Sequence, residues 1–397
     1  MVSMRVAVIG GRLQGVEAAY LAGKTGWEVI LIDRDSDTPA SGLCHCARKV
    51  DVTDQASMIS ALQDVNFVIP ALEDPEALAA LETISSRAGI PLAFDSSANW
   101  ITRSKLKSNE LFSFLGIPIP KPWPECGLPV VCKPSDSSGS RGVRVARNHL
   151  ELQAVFGLPG ISDWVIQQFV DGPLYSIEVL GFRGAYFPLQ VTDLKVDRAY
   201  DCKRVLAPTA LPPSTVYHFK DVAVRIAEAL RLNGVMDVEA ILHHGELKVL
   251  EIDARLPSQT PTAVFSSSRM NIVEMLGEIF FYSREPKTCV NSDYRGVIFE
   301  HVRLSPGLLE FSGEHIIAKA GPLKLLRDFF GADEALTNYC RSGDSWVATL
   351  ITTGRDCAEA REKRDDVIKN IRMHCKVNAI LDPGPESTGL TSRFRSC

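Results

Sequence analysis

The chain is expected to fold as α/β, opening with a Rossmann-like parallel-sheet unit and continuing as α+β. Strand-like and helix-like runs alternate from the start, a glycine-rich turn joins the first pair, and a strand-rich stretch follows a proline-rich joint. RVAVIG (5–10) reads as a strand, Gln14 to Lys24 as a helix and EVILID (28–33) as the next strand. FVIPA (67–71), a helix from Asp74 to Arg87 and PLAFD (91–95) complete the unit, and a helix runs from about Thr102 to Leu115. Gly-Ile-Pro-Ile-Pro-Lys-Pro-Trp-Pro then breaks the pattern as a linker. It leads into a small subdomain of about 118–172, with VVCKP (130–134), the loop SDSSGSRG (135–142) and WVIQQFV (164–170). From about Leu174 to Arg284 strands dominate, with a helix at 216–231. The chain thus divides into 1–98, 99–290 and a mixed α/β region 291–397, whose last stretch, PGPESTGLTSRFRSC, is expected to be disordered.

Composition narrows the function. With 397 residues, 45% hydrophobic and 23% charged, the chain is long enough for two or three domains of ordinary globular type. A net charge of −5 without a basic stripe gives no reason to expect nucleic acid. No apolar run reaches the length of a membrane span, and RVAVIG is too short for a signal peptide. Ten cysteines in such a chain do not make a secreted disulfide framework, and Cys44-His45-Cys46 lacks a second Cys/His pair at zinc spacing. Reduced thiols in the cytoplasm are the expectation.

The stretch VMDVEAILHHGELKVLEIDAR (235–255) carries the sharpest signal. Its two β-like arms are separated by His-His-Gly-Glu, a turn sequence. With the turn centred on Gly245, Glu239 faces Glu251 and Asp237 faces Asp253. All four are odd-numbered and share one face, while Val238, Ala240, Leu242, Leu250 and Ile252 make an apolar opposite face. Like charges directly opposite one another destabilise a sheet, so positive charge is expected on that face.

Two loops compete as phosphate sites. VIGGRLQG resembles the dinucleotide fingerprint, but Arg12 stands where a middle glycine lets the backbone approach a pyrophosphate. Asp33 ends the second strand where a ribose-binding acid would sit. Gly23-Lys24-Thr25 imitates a P-loop ending at the wrong end of a helix dipole. The loop at 135–142 is the better anion cradle: its small residues free the backbone, and Lys133 precedes it on an apolar strand.

Lys105, Lys133 before the Gly/Ser loop, QQFVDGPLYSIEV (167–179) and the acidic hairpin ending in EIDAR together resemble the ATP-grasp carboxylate–amine ligases. The resemblance covers roughly residues 4–290 and implies an ATP-grasp fold preceded by the Rossmann-like domain. GGRLQGVEAAYLA (10–22), GVMDVEAI (234–241) and EIDARLPSQTPTAV (251–264) resemble the branch that joins 3-methyl-D-ornithine to the side-chain amine of L-lysine in pyrrolysine biosynthesis. Asp253-Ala254-Arg255 stands where many relatives carry an Asn-Pro-Arg type sequence, and Gln167-Gln168 where relatives often carry a glutamate.

The resemblance implies ATP and Mg2+, two ions, as cofactors, with an acyl phosphate made from the carboxylate and then attacked by the amine. Carried onto this chain, ATP falls to Lys105, Lys133, Ser140, Gln167, Gln168, Phe169 and Val170, and metal to Glu239, Glu251 and Asp253. Arg255 stabilises the transferring phosphate or the oxyanion. Ser176, Ile177, Glu178, Asp237, Ser258, Gln259 and Thr260 take the ornithine-type substrate, and Leu13, Gln14 and Glu73 take lysine. Arg12, Asp33, Asp51 and Val52 surround a crevice where a second nucleotide would fit. The partners are small-molecule amino acids, and a homodimer is left open. Competing readings are an ATP-grasp ligase for another amino-acid pair, an NAD(P)-dependent oxidoreductase built on the first hundred residues, and a nucleotide-binding regulator without turnover.

Overall fold

The computed structural model describes residues 4–288 and 293–385; the expectation for residues 386–397 of the tail lies outside the described residues. Four parallel strands form the first sheet, β1 (Arg5–Ile9), β2 (Glu28–Asp33), β3 (Cys46–Lys49) and β4 (Phe67–Pro70), in the order β3-β2-β1-β4. The strand expected over 91–95 shrinks to one bridge, Val68 to Leu92, because Asp95 turns the chain by capping the helix Ser96–Thr102 through the Ala98 N–H. The helix expected over 102–115 starts later, at Lys105, and ends at Phe114.

Three antiparallel strands make the small sheet: β5 (Val130–Pro134), β6 (Arg144–Ala146) and β7 (Trp164–Gln168). The large sheet begins with β8 (Leu174–Phe182), β9 (Ala185–Pro188), β10 (Thr192–Val196), β11 (Cys202–Ala207), β12 (Gly234–His243) and β13 (Glu246–Asp253). It continues with β14 (Gly296–Ser305), β15 (Leu308–Phe311), β16 (Lys324–Phe329), β17 (Ala332–Thr337), β18 (Trp346–Gly354) and β19 (Ala379–Leu381). Its main path is β13-β12-β8-β10-β11-β14-β18-β17-β16, so the residues beyond 290 extend the sheet that carries the hairpin.

The hairpin pairs as its pattern predicts: Asp237 with Asp253 and Glu239 with Glu251, around a turn in which His244 and Gly245 both have positive φ. One detail differs. A bulge pairs Ala240 with Val249, so Leu250 is the extra residue and leaves the apolar face, where Leu247 and Val249 replace it. The apolar face packs Val238, Ala240 and Ile252 against Ile177 of β8 and against Phe219 and Ile226 of the helix Pro213–Leu230. A second core joins the first sheet to the large one. Val16 and Leu21 of the helix Leu13–Lys24 meet Val264 of the helix Thr260–Ser268 and Leu276 of the helix Ile272–Phe280.

Ile252 lies between two acids of the functional face yet is itself buried. Ile252→Ala is expected to cost about 2–5 kcal/mol through transfer and cavity terms. Urea unfolding measures this, and an unchanged midpoint would mean that the face under the acids is not a packed core.

Candidate active site

Three cations meet the acidic face, each delivered by a different part of the chain. Lys105 opens its helix and places Nζ 2.7 Å from Glu251 Oε1. Lys133, on β5 of the small sheet, donates to the Leu250 carbonyl at 3.1 Å, so the bulge supplies its acceptor. Arg255 leaves β13 and lies 2.9 Å from both Asp253 Oδ2 and Glu73 Oε1. Burial opposes the charge of Arg255, but Asp253, Glu73, Asp237 and Glu314 outweigh it and raise its pKa. Burial lowers the Lys133 pKa, with Lys105 adding to the effect and Glu251 and Glu239 opposing it.

These cations leave the face short of positive charge. Burial, then repulsion from Glu251 and Asp253, raises Glu239 to about 7. Burial raises Asp253 to about 6 despite Arg255, and Asp237 is pushed well above the usual carboxylate range by burial and by Asp253. Three carboxylates facing one way, with too few cations, have the oxygen-donor chemistry that suits Mg2+. Among the described residues, the group whose ligand atoms all lie within 4.8 Å of one another is a different one, Asp197, Asp201 and His315. There the carboxylates are engaged by the N–H groups of Ala199, Asp201, Gly313 and His315 and by the His315 ring.

The loop after β5 lies over the cations. Lys105 donates to the Ser137 carbonyl, and Ser138 donates to Glu73 Oε2. Gly139 and Ser140 have positive φ, and the Ser140 hydroxyl holds the Tyr200 carbonyl at 2.9 Å. Gln167 is buried on β7, and the N–H groups of Gln168 and Phe169 are committed to the Lys121 and Pro129 carbonyls. Val170 follows them, half-buried, at the end of the connection toward β8.

Across the sheet the acids continue as rungs. Asp253 pairs with Asp237, which pairs with Glu178 on β8. The neighbouring rung runs Glu251, Glu239, Ser176 and Thr192. Ile177 is the exception among the expected pocket residues: alternation along β8 points its side chain into the opposite core. Glu178 is fully buried with both oxygens unpaired, and burial raises its pKa to about 7. Ser258 Oγ and Gln259 Nε2 each donate to Glu314 Oε2 at 2.6 Å, and Thr260 starts the covering helix with its hydroxyl unpaired.

Near the first sheet, Gln14 Nε2 donates to Glu73 Oε1 at 3.1 Å, and Leu13 packs at the edge of the shared core. The other crevice residues are not gathered into this constellation. Asp33 accepts from the Gly11 N–H at 2.7 Å, Asp51 accepts from its neighbour Thr53, Val52 packs in the first-sheet core and Arg12 is exposed. A side chain at Gly11 would collide with Thr38, and one at Gly15 with the Gly10 carbonyl, so close packing explains these glycines without a dinucleotide. Cys44 and Cys46 are free, and the His45 ring accepts from the Val29 N–H.

Sequence reasoning missed Glu17, Gln190 and Glu314. Glu17 had a signal, an acid inside the apolar helix run GVEAAYLA, but Gln190 and Glu314 come together with the site only through long-range packing.

The fold and the acid-and-lysine cleft define an ATP-grasp enzyme, and the model of the ATP-grasp domain matches residues 102–259. The 3-methyl-D-ornithine–L-lysine ligase of Methanosarcina mazei is 34% identical over 364 residues, covering 91% of this chain and 93% of the relative. The N5-carboxyaminoimidazole ribonucleotide synthetase of Thermotoga maritima superposes with a TM-score of 0.64 at 20% identity, covering 92% of this chain and 98% of that one. Biotin carboxylase of Campylobacter jejuni superposes at 0.71 with 14% identity, over 92% and 91%. The chain belongs to the family of the 3-methyl-D-ornithine–L-lysine ligases, ATP-dependent carbon–nitrogen ligases of the ATP-grasp class. No described helix is long and apolar enough to cross a membrane.

Glu17 offers a pH test away from the cations. It is buried, accepts from the Thr262 N–H, and has its pKa raised by burial from 4.5 to about 8. A carboxyl raised in the folded state contributes stability that is complete below the ordinary value and lost as pH rises through the raised one. Metal-free protein is therefore expected to melt at progressively lower temperature between about pH 4.5 and about 8. Glu17→Gln should flatten that decline; thermal melts with chelator would show an unchanged slope if the burial cost were absent.

Proposed function

We propose that this ligase activates the carboxylate of 3-methyl-D-ornithine with ATP and joins it to the side-chain amine of L-lysine, as in pyrrolysine biosynthesis. The observation that carries the substrate class is the rung Asp253–Asp237–Glu178, ending in a fully buried carboxylate with no partner at hydrogen-bond distance and only the Thr260 hydroxyl acting on it from nearby. Buried polar atoms require partners, and acceptors alone call for a donor-rich ligand such as an ammonium.

Lys105, Lys133 and the Ser140 loop bind the ATP phosphates, and the Gln167–Val170 segment lines the base. Glu239, Glu251 and Asp253 would hold the divalent cations, two in number, whose charge would offset that of the phosphates. The γ-phosphoryl passes to the ornithine-type carboxylate, giving an acyl phosphate and ADP. Attack by the neutral lysine amine forms the amide and releases phosphate. Arg255 stabilises charge on the transferring group and on the tetrahedral oxyanion. Asp237 and Glu178 take the ammonium groups of the carboxylate donor, with Ser176, Ser258, Gln259 and Thr260 shaping its surroundings. Glu73, with Gln14 and Leu13, receives the α-ammonium end of lysine.

Phosphate release from Mg-ATP, measured with each amino acid alone and with both, tests the pair. Release and a product of the summed mass are expected only with both present. Release and product with a different pair from an amino-acid panel would keep the chemistry and discard these substrates.

Glu251→Gln removes the partner of Lys105 and one oxygen ligand. Turnover should fall by about 100-fold or more, since charge stabilisation by bound metal is worth several kcal/mol. Near-normal turnover with a normal Mg2+ requirement would reject the assignment.

Glu73 is shared between Arg255 and the phosphate loop. Nucleotide that draws those groups toward phosphate frees Glu73 for lysine. Titration of lysine into the protein should therefore show tighter binding, by about tenfold (about 1.4 kcal/mol), when a non-hydrolysable Mg-ATP analogue is present. Equal affinities would remove Glu73 from the lysine site.

A further inference from the structure

Gln190 lies in the link between β9 and β10 with 5% of its surface exposed, and its amide oxygen has no hydrogen-bond partner. Its orientation is set by a relay. The Ser267 hydroxyl donates to the Arg295 carbonyl at 2.8 Å, which spends its only proton. Its oxygen must then accept from Gln190, whose Nε2 lies 3.0 Å away. With the amide nitrogen committed, Oε1 is fixed as an acceptor.

The backbone puts this acceptor at the end of the acid rung. The Leu189 N–H donates to the Glu178 carbonyl at 2.8 Å, and two residues beyond Gln190, Thr192 pairs with Ser176. Ser267 belongs to the helix Thr260–Ser268, which covers the same side of the sheet and also carries Thr260 and Thr262, both with unpaired hydroxyls. The order across the sheet is therefore Asp253, Asp237, Glu178 and then the Gln190 segment, with neighbouring strands about 4.8 Å apart. The cations Lys105, Lys133 and Arg255 stand at the Asp253 end.

We propose that Gln190 is a specificity-determining residue: its amide oxygen and the Glu178 carboxylate together bind the distal ammonium of the carboxylate-donating diamino acid. The proposal rests on the reading of the site given under Proposed function and deepens it. A carboxylate held at the Asp253 end places the α-ammonium near Asp237 and the distal ammonium one strand further on. Glu178 alone would attract any cation. The rigid neutral acceptor beside it adds direction, so that an ammonium at the right chain length is favoured over a shorter one or none.

The test is steady-state kinetics of the full-length enzyme, with phosphate release as the readout and 3-methyl-D-ornithine, lysine and Mg-ATP varied in turn. Gln190→Leu keeps the volume and removes the acceptor. KM for 3-methyl-D-ornithine is expected to rise about 10- to 100-fold, the range for a lost hydrogen bond to a charged group. KM for lysine and for Mg-ATP should stay within about twofold, and the preference over the analogue lacking the distal amine should shrink by a factor of the same order. Ser267→Ala, which leaves Gln190 in place but frees its amide to turn, should move the same KM in the same direction by less. Unchanged KM and unchanged preference in Gln190→Leu, with wild-type turnover intact, would overturn the proposal. If Gln190→Leu does not fold, an unmoved KM in Ser267→Ala overturns it instead. Absence of wild-type turnover with this pair would overturn the underlying substrate reading and is seen before any variant is made.

Discussion

The site depends on one electrostatic constraint: four carboxylates forced onto one face of a two-stranded hairpin. Directly opposed like charges weaken a sheet, and burial makes the repulsion worse by removing the water that would screen it. The chain answers with Lys105, Lys133 and Arg255, and each answer ties a separate part of the fold to the hairpin. Lys133 brings the small sheet in through the Leu250 carbonyl. Arg255 reaches Glu73, just beyond the first sheet, and Lys105 brings the helix after the parallel unit. Burial still raises Glu239, with Glu251 and Asp253 adding to it, and raises Asp253 despite Arg255, so these cations do not offset the cost of burying the acids. A face that still wants positive charge is what a nucleotide-bound metal needs.

Such a face is tolerable because the other side of the same strands is a closed core. Ile177, Val238, Ala240 and Ile252 alternate with Ser176, Glu178, Asp237, Glu239, Glu251 and Asp253, so each functional residue has apolar neighbours in its own strand pointing away. Apolar packing is thus confined to one side of these strands and the charged groups to the other. The bulge at Leu250 is the one departure from alternation near the acids, and it presents a carbonyl to Lys133. Bulges beside active sites commonly re-aim a group in this way.

How much of this was legible follows from how local each feature is. The hairpin register was readable because the turn and the charge parity lie within twenty residues and only one register satisfies both. The bulge was not, since it answers to packing against β8 and to Lys133, over a hundred residues away. PLAFD looked like a strand by composition, but Asp95 was already committed to capping a helix. Asp33 sits where a ribose ligand belongs, and the bond that its carboxylate accepts from the Gly11 N–H, which shapes the first turn, became visible only in the structure. Gln190 and Glu314 carried no pattern at all. An uncharged amide in FPLQVTDL becomes informative only when Ser267, 77 residues later, fixes which way it faces.

Orientation of neutral groups gives the cleft its polarity. Gln14, Gln190 and Gln259 each commit the amide nitrogen to a fixed acceptor, Glu73, Ser267 and Glu314 respectively, and each leaves its oxygen unpaired. Gln190 adds its free oxygen to the unpaired oxygens of Glu178 and Asp237, while Gln14 and Gln259 keep theirs beside Glu73 and Glu314, two acids that act on Arg255. The cations gather at the Asp253 and Glu251 end of the rungs, away from Glu178 and Gln190. On the proposed reading, a substrate with a carboxylate at one end and ammonium groups along its length would enter such a field in one direction. Its reacting end would then face the phosphates before any bond is made, and positioning of that kind is the main service a protein performs for phosphoryl transfer.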